Sequence, residues 1–209
     1  MKIGMTTFFS LKGGVGKTCL SLAIQLELKK NGTAIKIITN DPVSPIGGVV
    51  DANEFIQLSQ KQDFPKDLSK EDNSILDLGG YLDNRILPVL KKSKTIIIPT
   101  FTDYPSLIAT QKTLKDIEPY NRKIILIANK TAKNDFMDTY ETLRDVCGNY
   151  PVFPVKTSKA FENLYVERKA ISQTMIDNPL LGRAYAEVLE QLKKIINHLM
   201  ITMNHMPKF

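Results

Sequence analysis

Lys12-Gly13-Gly14-Val15-Gly16-Lys17-Thr18 stands between an apolar run, Ile3 to Phe9, and a helical run, Leu20 to Leu28. The order is strand, glycine-rich loop, helix. Glycines let successive backbone N–H groups turn inward around phosphate oxygens, and the helix behind them presents the positive end of its dipole. In such a loop Lys17 carries charge to the β- and γ-phosphates of a nucleotide, and Thr18 offers a hydroxyl to Mg²⁺. The general phosphate-loop pattern asks for glycine at position 11, where this chain has Leu11, and in its place there is a second lysine, Lys12. A glycine turn that binds nothing is the plainer alternative.

Working outward from the loop, apolar runs rich in Ile, Val and Phe recur at Ile3 to Phe9, Ala34 to Ile38, Ser74 to Leu78, Thr95 to Pro99, Lys123 to Ala128 and Pro151 to Val155. Several are continuous rather than alternating, as strands are when helices cover both faces of a parallel sheet. Helical stretches separate them: Lys17 to Asn31, Asp83 to Lys92, Tyr104 to Glu118, Asp135 to Cys147, Lys159 to Ala170 and Pro179 to about Met203. Asn31-Gly32 stops the first of these. The expectation is an α/β, three-layer P-loop NTPase fold with a mostly parallel central sheet covered by helices on both faces. With no Pro/Gly/Ser-rich linker, residues 1–203 read as one domain and 204–209 as a short extension.

The 209 residues are 43% hydrophobic, enough for one sizeable core. Cys19 and Cys147 form neither a CxxC pair nor a metal-ligand spacing, which suits a reducing, cytoplasmic compartment. No apolar run approaches the ~20 residues of a membrane span, and a strand by residue 3 leaves no room for a signal peptide. The net charge of +6 suits a polyanionic partner without demanding one. Leu189, Leu192, Ile196, Leu199 and Met203 recur at helical steps, with Lys193 and Lys194 off that stripe. The pattern fits a terminal helix packed on the sheet, or one lying on a membrane.

Ligands of parallel sheets sit at the carboxyl ends of the strands. Asp77 closes the run Ser74-Ile75-Leu76 and is followed by Gly79-Gly80. An isolated Asp-x-Gly caps a turn; behind a phosphate loop it reads as the acid that holds Mg²⁺ through water, completing the shell begun by Thr18. Asp41-Pro42 follows the second strand, either as a turn or as a second acid. Asn129-Lys130 follows the fifth, where asparagine is also a common turn former.

The loop resembles the deviant Walker A motif, KGGxGK[ST], of the ParA/MinD family of ATPases, in seven contiguous positions from Lys12 to Thr18. The resemblance implies ATP and Mg²⁺ as ligands, bound by Lys12, Gly13, Gly14, Val15, Gly16, Lys17, Thr18 and Cys19. It also implies a homodimer closed by ATP, in which Lys12 reaches the partner's nucleotide. Asp41-Pro42 resembles the second half of the family's DxDPQ switch, making Asp41 the residue that positions the attacking water and touches Mg²⁺ through water, with Lys12 and Lys17 as the other catalytic groups. Thr39 and Val43 depart from that switch, and Cys19 replaces a frequent threonine. By the same resemblance Asn129 and Pro154 flank the adenine, and Pro99 to Asp103 form a second switch loop.

Short ParA proteins of the plasmid type leave sequence-specific recognition to a ParB-like or ParG-like partner. Arg168, Lys169, Arg183, Lys193 and Lys194, with Lys156 and Lys159, are the candidates here for nonspecific, salt-sensitive DNA contacts. The reading is a partition ATPase of plasmid or chromosome segregation, cytoplasmic and nucleoid-associated, whose slow hydrolysis a partner stimulates. A MinD-like ATPase positioning a protein or cargo on a membrane or nucleoid and a P-loop kinase or synthetase are the rivals. A cluster-binding iron protein is disfavoured, since only Cys147 lies outside the loop.

Overall fold

The structure, a computed structural model, describes residues 2–59, 61–69, 73–132 and 135–204. Seven strands form one sheet in the order β3-β2-β4-β1-β5-β6-β7. They are β1 (Met5–Phe8), β2 (Lys36–Thr39), β3 (Phe55–Gln57), β4 (Ser74–Asp77), β5 (Thr95–Thr100), β6 (Ile124–Thr131) and β7 (Val152–Lys156). Every pairing among them is parallel. The helices are α1 (Lys17–Lys30), α2 (Ile86–Lys92), α3 (Tyr104–Ile117), α4 (Phe136–Cys147), α5 (Ala160–Glu167), α6 (Ile171–Asp177) and α7 (Gly182–Asn204).

Because strand side chains alternate across the sheet, each strand serves two cores. Ile37, Ile75, Ile97, Ile125 and Ile127 face one side, where α1, α5, α6 and α7 cover them with residues such as Leu22, Leu164, Ile171 and Leu192. Ile38, Leu76, Ile96, Ile98 and Leu126 face the other, under Leu90 of α2, Leu114 of α3 and Leu143 of α4. Three layers result. The expected strands all form, and the continuous isoleucine runs are the buried inner ones.

Two elements were not legible. β3 is an edge strand of three residues, directly after a single 3-10 turn at Ala52–Glu54, and is too short to show a period. The helix expected from Lys159 to Ala170 stops at Glu167, where Arg168 turns to a left-handed φ of 52°, and a separate α6 follows. Arginine at such a position lacks the usual glycine signal for a helix end. Pro179–Leu181 is a lone 3-10 turn ahead of α7. Of the α7 stripe, Leu189, Leu192, Ile196 and Leu199 are buried against the sheet, so this helix packs on the core. Met203 lies in α7, but its side chain is outside the described ones, as are residues 205–209 of the expected extension.

Beneath α1 lies a buried carboxylate. Glu27, 3% exposed, accepts hydrogen bonds from Ser172 N at 2.9 Å and Ser172 Oγ at 2.7 Å. Ser172 is in the first turn of α6, so Glu27 caps a neighbouring helix whose own N-cap, Ala170, has no side-chain acceptor. Glu27→Ala is expected to lower stability by about 1–2 kcal/mol in urea denaturation. Glu27→Gln keeps an acceptor and should lose less.

Candidate functional site

β1 lies centrally between β4 and β5, and the chain crosses to opposite sides of it, which places a crevice at its carboxyl end. The phosphate loop occupies that crevice. Gly14 and Gly16 have φ of +75° and +96°, conformations that L side chains seldom adopt. Gly16 begins α1, its carbonyl accepting from Leu20 N at 3.0 Å. A Cβ on Gly16 would also lie 2.3 Å from Asn129 Nδ2. That amide donates to Val15 O at 2.8 Å and braces the loop from the end of β6. On the opposite flank, a Cβ on Gly80 would stand 3.2 Å from Leu11 O. Gly80 thus lets the backbone after β4 lie against the loop.

Lys17 folds inward, its Nζ donating to Ser10 O and Lys12 O, each at 3.3 Å. Burial lowers its pKa, and the charges of Asp77 and Asp41 oppose that shift. Both acids therefore share the field of this one ammonium. Asp77 is 2% exposed, and neither carboxylate oxygen has a hydrogen-bond partner of ordinary geometry. Burial pushes its pKa up to about 6, while the nearby Thr18 hydroxyl and Lys17 charge pull the other way.

Such an orphaned carboxylate beside a hydroxyl fits a cation shared with phosphate oxygens. No group of three His, Cys, Asp or Glu that could hold a metal on its own occurs among the described residues. Thr18, Asp77 and Asp41 are the residues that would hold Mg²⁺, which when bound would neutralise phosphate charge.

Thr39, where the resemblance called for an aspartate, has a different job. It is fully buried, donates through Oγ1 to Asp77 O at 2.7 Å and accepts from Asp41 N at 3.1 Å. One hydroxyl thereby locks the ends of β2 and β4 together. Asn40 adds a second tie, accepting from Gly79 N at 2.7 Å. Asp41 is half-buried, and its Oδ1 accepts from Val43 N at 3.0 Å in a tight turn.

Beside the loop opens a cleft of about 330 Å³, lined by Gly14, Gly16, Cys19, Asn129 and Lys130 on one side and by Lys156 to Ser158, Phe161 and Tyr165 on the other. Asn129 belongs to it, although its amide nitrogen is engaged by Val15 O and its oxygen by Lys130 N at 3.0 Å. Pro154 does not. It lines a separate groove with Phe136, Phe153 and Gln191, because only the last residue of β7, Lys156, reaches the cleft beside the loop. The residues facing the cleft from β7 and beyond are Lys156, which the sequence reading set among the DNA candidates, and Thr157 and Ser158, which it did not name, nor Phe161 and Tyr165. Lys130 has φ 56° and sets its ammonium 5.4 Å from the Phe101 ring, joining the ends of β6 and β5.

At the rim, Lys12 is half-buried, and its side chain forms no hydrogen bond or ion pair among the described residues. Its charge falls on Asp103, whose carboxyl is held below the usual range first by the Ser106 hydroxyl and also by Lys12.

The basic candidates are dispersed by comparison. Lys169 pairs with Asp177 at 2.7 Å, Lys193 with Glu190 at 2.9 Å and Lys156 with Glu187 at 2.7 Å. Arg168 and Arg183 are exposed and form no ion pair among the described residues. Lys159 and Lys194 are exposed as well, and Lys194 borders the Pro154 groove.

Asp77 generates a pH prediction. Its folded-state pKa lies above the ordinary 3.8, so the folded chain binds the proton more tightly than the unfolded one. The stability this group contributes is therefore complete below about pH 4 and is lost as the pH rises through about 6, by up to roughly 3 kcal/mol. Nucleotide-free Asp77→Asn is expected to melt at or above the wild type at pH 8, with the gap closing toward pH 4, in thermal scans across that range.

Residues 5–69 match the family described as Anion-transporting ATPase. No curated protein matches the sequence. Among solved structures, the MinD cell division protein of Aquifex aeolicus is similar at a TM-score of 0.66 and 14% identity, over 93% of this chain and 97% of that one. A ParA family ATPase from Chlorobium tepidum TLS is similar at 0.64 and 16%, over 90% and 98%. The septum site-determining protein MinD of Pyrococcus horikoshii OT3, complexed with Mg-ADP, is similar at 0.63 and 16%, over 94% and 98%. The fold of this chain is that of the ParA/MinD ATPases, with a deviant Walker A loop at the end of its central strand.

Proposed function

We propose that the chain is a ParA-type partition ATPase: ATP and Mg²⁺ close a face-to-face dimer, the dimer holds nonspecific DNA, and hydrolysis stimulated by a ParB-like or ParG-like partner releases it. The observation that carries this reading is the division of labour between the two loop lysines. Lys17 is turned inward onto the carbonyls of Ser10 and Lys12, while the Lys12 side chain makes no hydrogen bond or ion pair among the described residues and only its charge reaches Asp103. A lysine so placed suits a phosphate that arrives on another subunit.

Large exposed side chains on the same rim support an apposed face. Val43 after β2 is 83% exposed and Tyr104 after β5 is 76% exposed. Within the closed site Lys17 neutralises the phosphates, the loop N–H groups orient them, and Asp41 positions the attacking water. The net charge of +6, with Arg168 and Arg183 exposed, supports DNA as the surface partner. The burial of the α7 stripe disfavours a membrane role, since the face that would enter lipid is spent on the sheet.

Two experiments test this reading. Lys12→Ala should bind ATP as a monomer yet fail to dimerise with it in light scattering, and a normal ATP-dependent dimer would refute the trans role of Lys12. Co-sedimentation with DNA and with anionic liposomes, each with ATP, ADP or no nucleotide, should show retention on DNA with ATP alone, weakening steeply with salt. Retention on liposomes instead would establish the MinD-like alternative.

A further inference from the structure

Position 19 is the third residue of α1, in the turn whose free N–H groups face the loop. A thiol there is a weak hydrogen-bond donor. The contact it makes is with the far wall of the cleft: Cys19 Sγ lies 3.4 Å from the Tyr165 hydroxyl. Tyr165 and Phe161 are four residues apart on α5 and so share one helical face, and both line the cleft. A phenol is a protonated donor at neutral pH, and burial above all, then Cys19, raise the pKa of Tyr165 further. No other hydrogen bond engages this hydroxyl among the described residues.

We propose that Tyr165 is a nucleotide-positioning residue: its hydroxyl, poised beside Cys19, donates to the phosphate end of a nucleotide held in the loop and supplies from α5 the hydroxyl that position 19 lacks. The proposal rests on the nucleotide-binding reading above. It makes α5 part of the site, although α5 lies well over a hundred residues from the loop in sequence. Position 19 and position 165 then share one task, and a hydroxyl at either place should serve.

The test is the affinity of the full chain for ATP and ADP by calorimetry, together with the rate at which Cys19 reacts with a maleimide. Cys147 should stay silent in the labelling, being buried with a thiol pKa pushed up to about 11. Tyr165→Phe is expected to weaken both nucleotides about tenfold with an unchanged melting temperature, and saturating ADP should protect Cys19 in the wild type. Cys19→Thr placed in the Tyr165→Phe background should restore most of the affinity, a rescue that a merely structural tyrosine would not give.

Should Tyr165→Phe fold poorly, the protection of Cys19 by saturating ADP carries the test, and labelling that ADP fails to slow in a wild type that binds it would count against the proposal. A tenfold gain from Cys19→Thr alone, or wild-type affinity in Tyr165→Phe, would overturn the role of Tyr165. A wild type that binds neither ATP nor ADP would instead overturn the nucleotide-binding reading itself.

Discussion

The parallel pairing of β1 with β4 is the constraint on which the site depends. Its register sets Phe8 opposite Asp77, so the acid that ends β4 arrives beside the strand end from which the loop departs. On the other side of β4, Thr39 stands opposite Asp77, and its hydroxyl joins the β2 and β4 ends. A slip of one residue in either pairing would turn Asp77 to the opposite face of the sheet. The apolar side chains that hold this register are the isoleucines and leucines shared between the two cores, so packing across the sheet and the position of the acid are one requirement.

The same arrangement carries a local cost. Asp77 is buried without a hydrogen-bond partner, which in a structural carboxylate would be a defect. At the mouth of a phosphate loop it is a reservoir: a cation bound there would recover the interaction that the folded chain leaves unmade. Lys17 moderates the cost meanwhile, its own charge disfavoured by burial and favoured by the two acids. Binding and folding are therefore coupled through the same few side chains.

Much of this was legible in the sequence, for reasons that differ by element. The loop, Asp77 and the inner strands announce themselves through spacing along a few consecutive residues. β3 shows no period in three residues, and α6 hides behind a helix end capped by Arg168 rather than glycine. The contacts that assemble the cleft join distant positions, Asn129 to Val15 and Tyr165 to Cys19, and spacing carries no record of them. Thr39 is the instructive case. In the sequence it shows only as a departure from the switch pattern, whereas in the fold it is the tie between two strand ends.

Glu27 gives α1 a fixed address at both ends. At its start the helix meets the loop; near its finish the buried carboxylate grips the first turn of α6 through Ser172. The ordering of this helix pair is thus not separable from that of the loop: an α1 displaced at one end must either drag α6 or surrender two buried hydrogen bonds. The cap that stabilises a short helix also makes α1 a strut of set length, and the stiffness of the phosphate site is held partly at the far end of that helix.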